Sequence, residues 1–410
     1  MSRKERKTAV SSKRNRFMDA ENIRCSRCAL PIDWGITKFD EQGVCNYCRY
    51  YDTVRDKLRD FDRLKQLFLS HLNQHKGKYE YDVVVGFSGG KDSSYIVHTL
   101  KKHYQCRVLA VTVDFGFMPS GPAKENMKRV AKSLEIDHLI YDASANHLRQ
   151  GFRNAILKAR FCGFCTALCW LIPRKIAVER HIPFYIMGSD RGQMFRDLSP
   201  ETAPMSGADS INFMMTPYSD EKTLRGDHPT LVPRMRSFLA SFGLPAEVCQ
   251  EIYPAPEYLP TTQAMPFNLQ FFLFHPYREK EIKAILTAET NWQKPTGDHL
   301  HSHHDCILHD AIMHLFRACT ATTLTASEIC VDVREGEIAR EEAIEALKTE
   351  AARLDNLSEP YRVFQECFNI SEQEMRRVIK RFRRRMEFFR RLRKLQLLFC
   401  RPKLRLLDEA

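Results

Sequence analysis

The chain lacks any apolar run close to the roughly 20 residues that a membrane-crossing helix needs, and no apolar core follows its basic start, Met1-Ser2-Arg3-Lys4. Neither a span nor a secretory leader is expected, and a cytoplasmic protein is. Also missing are the Gly-x-x-x-x-Gly-Lys-Ser/Thr and Gly-x-Gly-x-x-Gly nucleotide signatures and any internal repeat. Acids are scarce at both ends. Basic residues crowd the first 15 positions, and Glu387 is the only acid from Arg376 to Arg405. A disulfide framework is not expected either. The 14 cysteines sit in a 410-residue chain, many in close pairs, which favours reduced thiols with metal or redox chemistry.

With 43% hydrophobic and 28% charged residues, the chain has the material for a packed core and a length suited to two or three domains. The net charge of +12 favours anionic partners, whether nucleotides, nucleic acid or acidic membrane. Residues 1–20 read as a disordered basic arm, 21–52 as a four-cysteine ribbon, 53–290 as a nucleotide-binding domain with substrate-cleft insertions, and 291–410 as a helical region with a basic tail. Apolar spacings of three and four from Val54 to Leu72 predict one connecting helix over 51–75. Strands are expected at 82–85, 107–113, 138–141 and 184–187. Helices alternate with them at 93–103, 123–134, 145–158 and 166–180, so the fold class is α/β with a doubly wound parallel sheet. Loops and short helices are expected over 195–265, and helices at 340–352 and 373–398. In the last of these, Ile379, Phe382, Met386, Phe389 and Leu392 form an apolar stripe that fits docking on its own domain, RNA or anionic membrane.

The chemistry concentrates after the first strand. Val83-Val84-Val85-Gly86-Phe87 runs into Ser88-Gly89-Gly90-Lys91-Asp92-Ser93 at a helix start, where glycines let the backbone approach a phosphate and free N–H groups face the anion. Two later strand ends, at Asp114 and at Gly188-Ser189-Asp190, lie where open α/β sheets bind ligands. Cys25-x-x-Cys28 and Cys45-x-x-Cys48 have the spacing of a closed, structural zinc site. Cys162-Gly163-Phe164-Cys165 forms a second set, with Cys169 expected as a core residue and Cys330 among the cysteines without a partner.

Ser-Gly-Gly-x-Asp-Ser after a first strand resembles the PP-loop of N-type ATP pyrophosphatases, a HUP-like fold. That resemblance implies ATP and Mg²⁺ as cofactors, with Ser88, Gly89, Gly90, Lys91, Asp92, Ser93, Asp114 and Gly188 binding nucleotide. It makes Lys91, Asp92 and Asp190 the candidate catalytic residues. PP-loop RNA thiolases carry a Cys-x-x-Cys at the place of Cys162 and Cys165 and use a distant third cysteine for an iron–sulfur cluster. The resemblance makes Cys306 the third candidate ligand, for a 4Fe–4S cluster or zinc with one open position, near His303, His304 and Asp305.

Two further stretches narrow the family. Ile23-Arg24-Cys25-Ser26-Arg27-Cys28 with Phe39 through Cys48 resembles the opening of bacterial N-acetyl sugar amidotransferases. So do Trp292-Gln293-Lys294-Pro295, Asp298-His299, Asp305 through Asp310, Asp332 through Gly336 and Arg340 through Ala343. Coverage runs from about 23 to 350, with departures in the histidine-rich spacing before Cys306 and in the basic tail. The resemblance implies ATP-dependent conversion of an acetamido to an acetamidino group on an N-acetyl sugar or nucleotide sugar of surface polysaccharide. No glutaminase domain is legible, so a glutaminase partner supplying ammonia is expected. The alternatives are a thiolase acting on tRNA or a small molecule, and a non-catalytic nucleic-acid-binding module. RNA and peripheral membrane contact stay open as partners of the tail.

Overall fold

The structure is a computed structural model, and its described residues are 23–32, 37–160, 162–196, 198, 236–252, 266–297, 300–301, 303–320 and 322–384. The arm at 1–20, most of 195–265, Asp298, His299, and the stripe positions Met386, Phe389 and Leu392 lie outside them.

Helices α1 (Asn46–Arg59) and α2 (Phe61–His75) lead into the sheet. The single connecting helix expected here is two, because Asp60 leaves helical geometry and its carboxylate caps α2 by accepting from Arg63 N. The sheet region then runs β1 (Val83–Gly86), α3 (Lys91–Lys102), β2 (Val108–Asp114), α4 (Gly121–Leu134), β3 (Asp137–Asp142), α5 (Asn146–Leu157), α6 (Gly163–Glu179), β4 (Phe184–Met187), α7 (Arg191–Phe195) and β5 (Phe267–Gln270). All strand pairs are parallel, in the order β3-β2-β1-β4-β5. β5 falls just outside the stretch expected to be loops and short helices. It is four residues long and runs directly into the helical turn Phe271–Phe274, so no period-2 pattern sets it apart from its apolar surroundings.

Alternate strand residues serve opposite faces. Val84, Leu109, Val111, Val113 and Tyr185 enter a core with α5 and α6, while Val83, Val85, Val108, Ala110, Phe184 and Ile186 enter one with α2, α3 and α4. From β1 the sheet grows first through β2 to β3, and then in the other direction through β4 to β5. The strand order therefore reverses between β1 and β4, which opens a crevice beyond their C-terminal ends.

The rest is helical: α8 (Glu279–Thr290), α9 (His309–Thr320), α10 (Leu324–Glu335), α11 (Arg340–Asp355), α12 (Arg362–Phe368) and a helix α13 over 372–384. On α13 Met375, Val378 and Ile379 are buried in the core with Phe382 packed against it, so the described part of the basic helix docks on its own protein. No helix among the described residues is long and apolar enough to cross a membrane.

Candidate active site and metal centre

The loop after β1 sits at that crevice. Gly89 has φ +74°, and a Cβ there would lie 2.3 Å from the Ala123 carbonyl oxygen, so α4 packs against bare backbone that only glycine supplies. Ser93 Oγ accepts from Ser88 N at 3.1 Å and sits 3.2 Å from Ser88 Oγ, which closes the loop on itself. Gly90 is the N-cap of α3 with no side-chain cap, leaving the first N–H groups of that helix to a ligand. Trp292 holds the loop from outside, its indole N–H donating to Gly89 O at 3.1 Å.

A cavity of about 520 Å³ lies over the loop, in the size range of small-molecule sites. Residues Gly86–Ser93, Gly188 and Ser189 form one side, and Trp170, Ile312, Met313, Leu324 and Thr325 line other parts. The expected loop residues and Gly188 are thus brought together. Asp114 and Asp190 are not on the lining. Asp114 accepts from Gly116 N and pairs with Lys124 at 2.8 Å. Asp190 is fully buried behind the wall, where it caps α7 by accepting from Gln193 N at 2.7 Å.

Behind the loop lies a charged network whose members the sequence only partly showed. Lys91 Nζ is 3.1 Å from Asp92 and 3.8 Å from Glu279. Burial opposes the lysine charge, but Asp92, Glu279 and Asp190 outweigh it and raise the pKa. Burial likewise opposes ionisation of Glu279, yet Lys91, His301 and Lys283 bring it down to about 2. His301 Nε2 donates to Asp332 at 2.7 Å, and Nδ1 is 3.8 Å from Asp190. Against burial, Asp332 and Asp190 hold that imidazole charged, well above its ordinary range. His303, on the cavity wall, lies 3.8 Å from Glu328, which also pairs with Arg196 at 2.7 Å. The Asp305 carboxylate packs against the loop, since a Cβ on Gly90 would come within 3.4 Å of it. Glu279, Glu328 and Arg196 were not visible as site residues. Glu279 opens a helix, where an acid is favoured by the helix dipole alone, so its type carried no signal.

The four-cysteine knuckle forms as expected. The ligand atoms of Cys25, Cys28, Cys45 and Cys48 all lie within 4.8 Å of one another and are buried, a metal-binding cluster by its donor set. Hydrogen bonds from Cys25 and Cys28 push the Cys45 and Cys48 thiols up, and a bound cation would relieve that crowding by holding all four as thiolates. Cys330 is not without a partner: it packs in the knuckle's own buried cluster with Cys28. Arg334 lies over the Tyr47 ring at 5.7 Å and stays charged despite burial because Cys28 and its neighbours face it.

Helix α10 joins the two sites. Thr325 and Glu328 face the cavity, Asp332 meets His301, Cys330 meets the knuckle, and Glu335 holds Arg191 at 2.7 Å and Tyr51 at 2.9 Å.

The second cysteine set lies on the cavity. Cys162, Cys165 and Cys306 line it together with Cys169, which is half-buried on the wall and not a core residue. Cys165 Sγ is 4.0 Å from Cys169 Sγ. Cys162 is open to solvent at the mouth yet ringed by protein, and that surrounding raises its thiol to about 11. Its neighbour Cys165 is raised by Cys169 and by burial, and Cys306 by burial and then by Cys162.

Residues 76–162 match the asparagine synthase family, and residues 323–399 match the family described as LPS biosynthesis protein WbpG-like, C-terminal domain. The second match runs through most of the basic tail, which therefore belongs to that domain. The chain is 27% identical over 150 residues to an uncharacterised protein of Methanocaldococcus jannaschii, 35% of this chain and 51% of that one. It thus spans about half the length of the curated relative it matches. The U34-tRNA thiolase NcsA from Methanococcus maripaludis, solved with its 4Fe–4S cluster, aligns over 82% of this chain and 90% of its own at 12% identity. The TM-score of that alignment is 0.37. The chain thus joins an asparagine-synthase-type PP-loop segment to a WbpG-like C-terminal segment, a pairing that supports the N-acetyl sugar amidotransferase family of the PP-loop superfamily.

Proposed function

We propose that this protein is an ATP-dependent, AMP- and diphosphate-forming amidotransferase that turns the acetamido group of an N-acetyl sugar into an acetamidino group during surface-polysaccharide (LPS/O-antigen or nonulosonic acid) biosynthesis. One observation supports this most: the two family matches meet in one cavity. Ser88–Ser93 from the asparagine-synthase-like segment faces Leu324, Thr325 and Glu328 from the WbpG-like segment. A nucleotide held on the loop would lie beside whatever acceptor the second segment selects.

In the reaction, the amide oxygen attacks the α-phosphorus of ATP and diphosphate leaves, giving an O-adenylyl imidate. Ammonia then adds to the activated carbon, a proton leaves its nitrogen, and AMP departs with the original oxygen. Backbone N–H groups at the start of α3, with Ser88, Ser93 and Lys91, bind and orient the phosphates, and Asp92, whose Oδ1 is buried without a hydrogen-bond partner, would hold Mg²⁺ to offset the phosphate charge. Asp190 and His301 act from behind, keeping the Gly188 turn and Lys91 in place, while Asp114 braces the end of β2 through Lys124. A glutaminase partner supplies the ammonia, and the knuckle's metal is zinc, in a structural role. The proposed division is a knuckle over 21–52, whose helix α1 runs on to Arg59, a nucleotide-binding domain over 53–290 and a helical region over 291–410.

Sugar-dependent release of AMP and diphosphate tests the reading. It is expected with ATP, Mg²⁺, ammonium and an N-acetylated nucleotide sugar, and expected to fall by about 100-fold or more in Lys91→Ala. Release of ADP and phosphate, or release that ignores the sugar, would overturn it.

A further inference from the structure

Cysteine is oddly distributed on the cavity wall. Cys162 is the N-cap of α6, and Cys165 and Cys169 follow in its first two turns. The positions i, i+3 and i+7 stack on one helix face, and all three border the cavity. Cys306 approaches from outside α6, in the turn before α9, fixed by its N–H donating to His303 O at 3.2 Å. Tyr185 OH donates to Cys169 O at 3.2 Å and fixes the second turn of α6. Four thiols from two segments therefore line one cavity, with Cys165 Sγ 4.0 Å from Cys169 Sγ.

Two geometries set this group apart from the knuckle. The knuckle sulfurs all converge within 4.8 Å, as a single small ion requires, whereas among the described residues no three of Cys162, Cys165, Cys169 and Cys306 do so. Cys165 and Cys169, 4.0 Å apart, approach as closely as knuckle sulfurs do, but the set as a whole does not close on one point. That suits a core of several metal atoms better than one ion, and four thiolates are the usual complement of an iron–sulfur cluster. The wall also borders the cavity, so the centre it holds would be reachable from the ligand side.

The geometry points to Cys169 as the fourth ligand, completing with Cys162, Cys165 and Cys306 a closed, four-thiolate iron–sulfur site on the wall of the ATP cavity. A closed site leaves no iron open to bind sulfide. The cluster is then a structural element of the acceptor wall and not a carrier of sulfur, a consequence that rests on the amidotransferase reading and deepens it.

The test uses the full-length protein purified and reconstituted without oxygen, with iron, acid-labile sulfide and zinc counted in the wild type, Cys169→Ser and Cys306→Ser. Wild type is expected to hold about four iron and four sulfide per chain, with the knuckle's zinc unchanged in all three. On mild ferricyanide oxidation the wild-type cluster should keep its iron, because every iron has a protein thiolate. Cys169→Ser should lose one iron and show the electron paramagnetic resonance signal of a three-iron cluster. Thermal unfolding and ATP binding serve as fold controls, and if Cys169→Ser does not fold, Cys169→Ala takes its place. A wild type with zinc alone, or a Cys169 variant whose cluster survives oxidation as the wild type's does, would overturn the assignment. Neither result touches sugar-dependent AMP release, so failure of this site and failure of the proposed reaction are read separately.

Discussion

The knuckle and the cavity wall each gather four cysteines, and they do opposite things with them. In the knuckle two Cys-x-x-Cys turns from separate segments close on one point, sealed from solvent by Tyr47, Leu30 and Cys330. On the wall three cysteines ride one helix and spread along it, facing the ligand space. Convergence and burial mark the knuckle's metal as part of folding, whereas the wall's thiols border the ligand space, where a metal they held would belong to the site.

The largest effect should come from breaking the knuckle. Structural metal contributes on the order of 10 kcal/mol, comparable with a whole domain's stability. Cys45→Ser should therefore abolish the cooperative melting transition, while Cys162→Ser keeps it with only a small shift. Calorimetry of the two variants beside their zinc contents would break the comparison if both melted alike.

Next comes the loop between them. Lys91→Ala should lower sugar-dependent AMP formation by about 100-fold or more, the scale expected for removing a preorganised group that stabilises charge. Steady-state assays with metal analysis should find both metal contents unchanged. Loss of metal along with activity would mean that loop and wall are not separable.

A smaller effect belongs to the network behind the loop. Glu279→Gln leaves Lys91 and Lys283 short of a buried partner and should cost about 3 kcal/mol at neutral pH. The folded Glu279 has its pKa lowered to about 2 from 4.5. Its contribution is thus complete above 4.5 and lost as pH falls toward 2. Denaturant unfolding of both proteins should show the gap closing over that window, and a gap independent of pH would contradict the ion-pair account. The smallest change is Cys330→Ala, which should cost about 1 kcal/mol and leave zinc in place. Loss of zinc there would make Cys330 a ligand and not a packing neighbour.

The comparison also explains what the sequence could show. The knuckle was legible because its two motifs are short and close in sequence, and the PP-loop because strand, glycine pair and helix are contiguous. Strand alternation to two buried faces made the sheet legible as well, apart from β5, which blends into Phe271–Phe274. The wall was half legible: Cys162 and Cys165 stand out by spacing, but Cys169 looks like any helix residue until α6 is seen to turn that face to the cavity. Glu279 and Glu328 were hidden because each reaches the site across a long sequence gap, from helices whose own patterns read as ordinary. Cys330 was missed for the same reason, since its partner Cys28 lies near the other end of the chain.

The most direct test of the proposed chemistry is the mass of the sugar product. With ATP, Mg²⁺, an N-acetylated nucleotide sugar and ¹⁵N-labelled ammonium, the acetamido oxygen should be replaced by labelled NH, and that oxygen should appear in AMP. A product in which the oxygen is replaced by sulfur when sulfide is supplied, with no nitrogen uptake from ammonium, would contradict it.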